Sequence, residues 1–205
     1  MHIELTEMLR CPESHREDVM VLSTGEMLGR MVRFGIVGCP VCRKEFLIKD
    51  GIVDFTGPGT GEGGRVRSRA TPPPSPVPSP VDLQALLELS GPGGFVVLLG
   101  DATRHAVGLA NLMAGIHFIG INAPSDVEEL PVLSLLRTKS VVPLRQSIAR
   151  GVVVGRDLAT SSWLVEAHRV LLRGRRFVAL HDAPELPIGL EKLATAKGLW
   201  VGEKK

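Results

Sequence analysis

Residues 95–121 read FVVLLGDATRHAVGLANLMAGIHFIGI. The stretch 95–99 is an unbroken apolar run, as a strand buried on both faces requires. From Ala102 to Met113 the apolar residues return at helical spacing, and 117–121 is a second apolar run. Strand, helix and strand in so short a span read as the crossover unit of a parallel sheet.

The alternation continues outward. Upstream, Asp82 caps a short amphipathic helix (Leu83, Leu86, Leu87) that stops at Gly91. Downstream, 128–136 reads as a helix, and 140–144 and 152–154 as short strands. A helix over 162–172 ends at Gly174, a strand follows at 177–180, then a helix at 188–196 and a last strand at 199–201. Residues 82–205 are therefore expected to be an α/β unit: a Rossmann-like, mostly parallel sheet with helices on both faces. Little chain follows 199–201, so the sheet is expected to lack an antiparallel closing pair and to leave an edge open.

Ahead of this unit, GPGTGEGGRVRSRATPPPSPVPSP occupies 57–80. Glycines fill its first half, Arg65, Arg67 and Arg69 its middle, and six prolines its end. Such a composition buries no apolar surface, and its proline half favours extended polyproline II. GTGEGG lacks the Lys-Ser/Thr and helix of a phosphate loop. Residues 57–81 are assigned to a linker. Before it, 1–56 is rich in short strands: 19–22 and 31–37 around a turn at Gly25, then 46–48 and 52–55 around Asp50-Gly51, a type I′ hairpin signal.

Bulk properties exclude several classes. The 44% hydrophobic and 22% charged content is that of a globular chain, and a net charge of +2 gives no global pull toward nucleic acid or anionic lipid. The N-terminal MHIELTEMLR mixes Glu4, Glu7 and Arg10 into its apolar residues, unlike a signal-peptide core. No apolar run approaches the roughly 18 residues that span a bilayer. The three cysteines all fall within the first 42 residues, an odd number without a secretion signal. A reduced, cytoplasmic compartment and metal or thiol chemistry follow.

Cys39-Pro-Val-Cys42 has the form of a metal knuckle, because two thiolates at this spacing reach one ion from a tight turn. Cys11-Pro-Glu-Ser-His15 stands upstream with the same following proline. A tetrahedral site needs four ligands, and His15 is the obvious fourth beside Cys11, Cys39 and Cys42. The expected ion is a structural zinc, since no general base for a zinc-bound water lies nearby. In the other reading Ser14 marks a lost ligand, His15 faces solvent, and the site is empty or partial.

MLRCP followed by CPVCRKEFLIKDGIVDF resembles the small zinc-ribbon family that activates tRNA and release-factor methyltransferases, over residues 1–56. Ser14 departs from that family, whose metal-binding members carry a second Cys there. The resemblance implies a module that lays a strand and an apolar face against a Rossmann-like methyltransferase. Residues 82–205 in turn resemble class I S-adenosylmethionine-dependent methyltransferases, most clearly at EAHRVLLRGRRFVAL, 166–180. That likeness implies a glycine-rich loop after the first strand and an acid after the second to grip the ribose. Here only Gly100 remains of the glycines, Arg104 and His105 add bulk, Asn122 replaces the acid, and no carboxylate occurs between Lys139 and Gly155.

The expected function is a non-catalytic pseudo-methyltransferase with a zinc ribbon, acting as an interaction or scaffold protein. S-adenosylmethionine is not expected to bind, and no catalytic residue is assigned. The alternative is an active methyltransferase on RNA or protein with an atypical loop. Partners are expected to be a protein or a second copy, through a sheet edge or the ribbon. A nucleic-acid reading rests on the ribbon and on Arg169, Arg173, Arg175 and Arg176, which read rather as a solvated helix end. His181-Asp182 reads as a turn. Ser161, Ser162, His168 and Asp157 have triad residue types without a nucleophile elbow.

Overall fold

The computed structural model describes residues 1–16, 18–57, 78–182 and 184–205. The linker expectation for 58–77 lies outside the described residues. Chain order is β1 Val21–Leu28, β2 Met31–Gly38, β3 Glu45–Lys49, β4 Ile52–Asp54, α1 Pro80–Leu87, β5 Phe95–Leu99, α2 Ala106–Leu112, β6 His117–Ile121, β7 Leu133–Arg137, β8 Ala149–Val154, α3 Ser161–Val170, β9 Leu171–Ala179, β10 Leu190–Ala196 and β11 Leu199–Lys204. Short 3₁₀ turns occupy Ile3–Met8, Gly100–His105 and Arg156–Leu158.

Among the described residues eleven strands form one mixed sheet, ordered β1-β2-β3-β4-β7-β6-β5-β8-β9-β11-β10. From β4 to β9 every neighbour is parallel, with Val97 of β5 facing Ile119 of β6 and Val152 of β8. Strands β6 and β8 are buried almost throughout, as the apolar runs predicted. Leu83, Leu87, Ala106 and Leu109 of α1 and α2 cover one face of the parallel core. Trp163, Leu164, Ala167 and Val170 of α3 cover the other. The fold is thus the expected α/β arrangement, a mostly parallel core with helices on both faces.

The ribbon joins this sheet directly. Its β1–β2–β3–β4 meander is antiparallel, and β4 then adds to β7 in parallel, Ile52 opposite Leu135 and Val53 opposite Leu136. The Asp50-Gly51 hairpin is as read, both residues having positive φ (50° and 79°). Met1, Leu5 and Leu9 lie on the same sheet face as Val97, Leu99, Ile119 and Leu136, so one core crosses the two units. Beneath the seam the Glu129 carboxylate, 5% exposed, accepts from Arg33 (2.6 Å) and from the Met1 ammonium (2.5 Å).

Several local expectations are corrected. The first hairpin turns at Gly29-Arg30, not at Gly25, which lies inside β1 beside an irregularity in the ladder. Ser79 rather than Asp82 caps α1: its hydroxyl accepts from the Asp82 N–H, and Asp82 accepts from the Ser79 N–H (2.9 Å), with Pro80 opening the helix. Residues 128–136 are not helical. Pro131 interrupts them and 133–137 is β7, an apolar run that periodicity alone cannot assign. Residues 140–144 form no strand: the Val142 N–H donates to Glu166, and Leu144 bridges Leu9. Finally, 188–196 is no helix, because 190–196 pairs as β10 with β11. β11 runs antiparallel to both β9 and β10, so the closing pair judged absent is present. Pairing to a neighbour overrides the helical spacing of an exposed edge strand. Among the described residues no helix is long and apolar enough to cross a membrane.

Candidate metal centre and cofactor cleft

The knuckle is built by the turn between β2 and β3. The Cys39 N–H donates to the Lys44 carbonyl (2.9 Å) and the Arg43 N–H to the Cys39 carbonyl (2.8 Å), with Arg43 at φ 59°. The antiparallel bridge of Leu9 with Leu144, and the Arg10 N–H on the Pro143 carbonyl (3.1 Å), deliver Cys11 to the same place. One ligand atom from each of Cys11, His15, Cys39 and Cys42 lies within 4.8 Å of the others. The Cys11 and Cys42 sulfurs are 3.7 Å apart, and the Cys39 sulfur is 3.4 Å from His15 Nε2. A tetrahedron with zinc–sulfur bonds of about 2.3 Å and a zinc–nitrogen bond of about 2.05 Å has edges of about 3.8 and 3.6 Å.

The imidazole is oriented for this use. His15 Nδ1 lies 2.7 Å from the Arg16 carbonyl, which fixes the proton there and turns the Nε2 lone pair toward the thiols. Ser14 is exposed and outside the cluster. Burial pushes the Cys11 thiol up to about 12, and neighbouring Cys42 and Cys39 add to the rise. Against a burial effect that acts upward, hydrogen bonds from the Lys44 backbone, His15, Cys39 and Cys11 bring Cys42 down to about 7. Crowded thiols that cannot all ionise together are what a divalent cation relieves. The four residues therefore fit zinc, and they leave no ligand position for chemistry.

The other candidate site lies at the carboxyl ends of β5, β6 and β8, where parallel sheets bind ligands. Gly100 has φ 61°, and a Cβ built on it would overlap the Asp157 carboxylate. Asp157 Oδ1 accepts the Asp101 N–H (3.0 Å), and Asp101 Oδ1 accepts the Arg156 N–H (3.0 Å). The loops after β5 and β8 are thus closed on each other by a reciprocal carboxylate pair. Burial, together with the facing Asp101, raises Asp157 to about 6. Asn122, at φ 52° after β6, spends its amide on Thr138: Nδ2 donates to the carbonyl (3.0 Å) and Oδ1 accepts the N–H (2.9 Å). Arg104 holds Asp126 through two bonds of 2.9 and 3.0 Å. The open side of Gly100 and the side-chain amide of Asn122 are thus both engaged within the chain.

The sequence marks Asp157 only as one of the triad residue types and gives no role to Asp126 or Glu129. Nothing in the spacing marks the three, because their partners come from distant loops. The triad types do not meet: Ser161 donates to Glu185 (2.6 Å), while His168 packs beside Gly189. Asp182 accepts the Gly198 N–H of the β10–β11 turn. The arginines divide. Arg169 binds Glu166 and the Val142 and Leu144 carbonyls, Arg176 binds Glu203 and Glu88, and Arg173 and Arg175 flank Gly174 on a bulge.

No protein-family model matches the chain, and no curated protein matches it. Among solved structures it is similar to the antibiotic-resistance methyltransferase Kmr, at 14% identity over 62% of this chain and 93% of that one, TM-score 0.42. It is similar also to the complex between the Haloferax volcanii Trm112 methyltransferase activator and the putative methyltransferase, at 20% identity, 47% and 49% coverage and TM-score 0.39. A geranyl diphosphate methyltransferase in complex with GPP and sinefungin matches at 17% identity, 49% and 42% coverage and TM-score 0.42. The chain spans about half, or less, of the latter two, at 49% and 42% of their lengths.

Proposed function

We propose that this chain is a non-catalytic, methyltransferase-like scaffold whose zinc-holding ribbon is fused to the sheet it completes. The observation that carries the reading is the closed loop pair. Asp157 covers the open side of Gly100, and Asn122 is bound to Thr138 at the end of the neighbouring strand. A cofactor carboxylate entering there meets two carboxylates rather than bare N–H groups, and a ribose finds its acceptor already bonded.

Zinc in this reading is structural. Cys11, His15, Cys39 and Cys42 would hold it, tying the segment before β1 to the β2–β3 turn and so fixing the unit that carries β4 onto β7. Bound there, the ion supplies a closed tetrahedral crosslink and no reactive water. Retention of three thiols as ligands calls for a reducing, cytoplasmic setting.

Calorimetry with S-adenosylmethionine on the full chain tests the cleft. No heat of binding and no thermal shift are expected. Saturable micromolar binding would replace this reading with an active methyltransferase. Metal analysis of protein purified without added zinc is expected to find about one equivalent per chain.

A further inference from the structure

Two of the four ligands that fit zinc are in sulfur–sulfur contact. Cys11 Sγ lies 3.7 Å from Cys42 Sγ, although the residues are 31 apart in the chain. They arrive from different segments. The Leu9–Leu144 bridge and the Arg10–Pro143 hydrogen bond bring in Cys11, and the turn between β2 and β3 brings in Cys42. Cys39 stands differently: it shares that turn with Cys42, and its sulfur lies 3.4 Å from His15 Nε2. Cys42 is partly exposed, whereas Cys11 and Cys39 are buried. The two segments that the four ligands would tie through an ion are thus the two that a single Cys11–Cys42 bond would tie alone.

We propose that Cys11 and Cys42 form an oxidation site for hydrogen peroxide, at which a disulfide replaces zinc as the crosslink of the ribbon. The step takes two thiolates and one peroxide. One thiolate attacks the O–O bond and becomes a sulfenic acid as hydroxide leaves. The other thiolate attacks that sulfur, forms the S–S bond and expels a second hydroxide. Each sulfur gives up one electron, the peroxide takes both, and the hydroxides gain protons from solvent to become water. The product is the same whichever sulfur reacts first, because each is in contact with the other. A zinc ion left with only Cys39 and His15 has lost half of a tetrahedral set and leaves. The fold keeps its staple, since the new bond closes the same long loop and limits the unfolded chain as zinc does. A Cys39–Cys42 bond, by contrast, lies within one turn and ties nothing to the segment before β1. This inference rests on the reading of the four ligands as a zinc site.

The full chain, loaded with zinc under reducing conditions and then freed of reductant, tests it on addition of hydrogen peroxide. Release of about one equivalent of zinc is expected, read with a chromophoric chelator, in step with the loss of two thiols. Peptide mapping after alkylation should find Cys11 joined to Cys42 and Cys39 alkylated. The oxidised chain should melt about 5 °C or more above the reduced chain stripped of zinc by a chelator. A chain that takes up no zinc overturns the zinc reading and this proposal with it. A zinc-loaded chain that keeps its metal in excess peroxide overturns this proposal alone. So does a bond between Cys39 and Cys42, or an oxidised chain that melts no higher than the stripped one.

Discussion

At Asp157 the cost of a closed cleft is visible as a titration. Its carboxyl is raised from an ordinary 3.8 to about 6, first by burial and then by Asp101 opposite. A raised carboxyl makes the native state take up a proton that the unfolded state has released. Its stability contribution is therefore whole below pH 3.8 and is lost as pH rises through about 6. Asp157→Asn keeps an oxygen for the Asp101 N–H and turns the facing like charge into a hydrogen-bond donor. The variant should melt higher than the intact protein at neutral pH, and the two curves should converge in acid. Thermal melts across that range check this, and equal melting temperatures at neutral pH would mean that the carboxylates are not held against each other. Asn122 shows the same economy: one side chain closes two strand ends, at the position where the methyltransferase resemblance asks for an acid.

Among the elements, the β4–β7 seam depends on one buried carboxylate. Glu129 comes from the loop before β7, and its ligands Arg33 and Met1 come from the ribbon. Truncation takes a partner from the buried Met1 ammonium, while Arg33, 35% exposed, keeps access to water, so Glu129→Ala should cost about 1–3 kcal/mol by chemical denaturation. A loss below about 1 kcal/mol would show that strand pairing alone holds the seam, as for an exposed pair. The seam also shows which parts of the fold were readable. Strands β5 and β6 were legible because burial on both faces leaves an uninterrupted apolar run. The Asp50-Gly51 turn was legible because its positive φ values demand those residue types. Strand β10 was not, since an exposed edge strand such as LEKLATA, 190–196, carries no burial pattern and its identity lies in β11. The grouping of Cys11, His15, Cys39 and Cys42 was legible from spacing, which records local chain geometry. The Asp101–Asp157 and Asn122–Thr138 closures were not, because they join loops that only the finished sheet brings together.

On the scale of the whole molecule, the ribbon is as much a part of the fold as the helices are. Residues 122–132 and 138–148 link β6 to β7 and β7 to β8, and in the described residues neither link contains a helix. On that face the Ile3–Met8 turn and the ribbon's apolar residues provide cover instead, with Leu5, Leu9, Val37 and Phe46 in one cluster with Ile119, Ile121 and Leu136. Two modules that could be parted at the linker would unfold in two steps. A sheet and core that run through both should unfold in one. Loosening the ribbon then takes the parallel sheet with it, because uncovering Ile119 and Ile121 exposes apolar surface that the helices do not reach. Stripping zinc with a strong chelator should accordingly lower the single melting transition of the full chain without splitting it, and Cys42→Ser should reproduce the loss with no chelator added. Calorimetry decides the matter. A second transition that stays in place while the first moves would mean that the parallel sheet stands without its ribbon, and that the shared core contributes little to holding it.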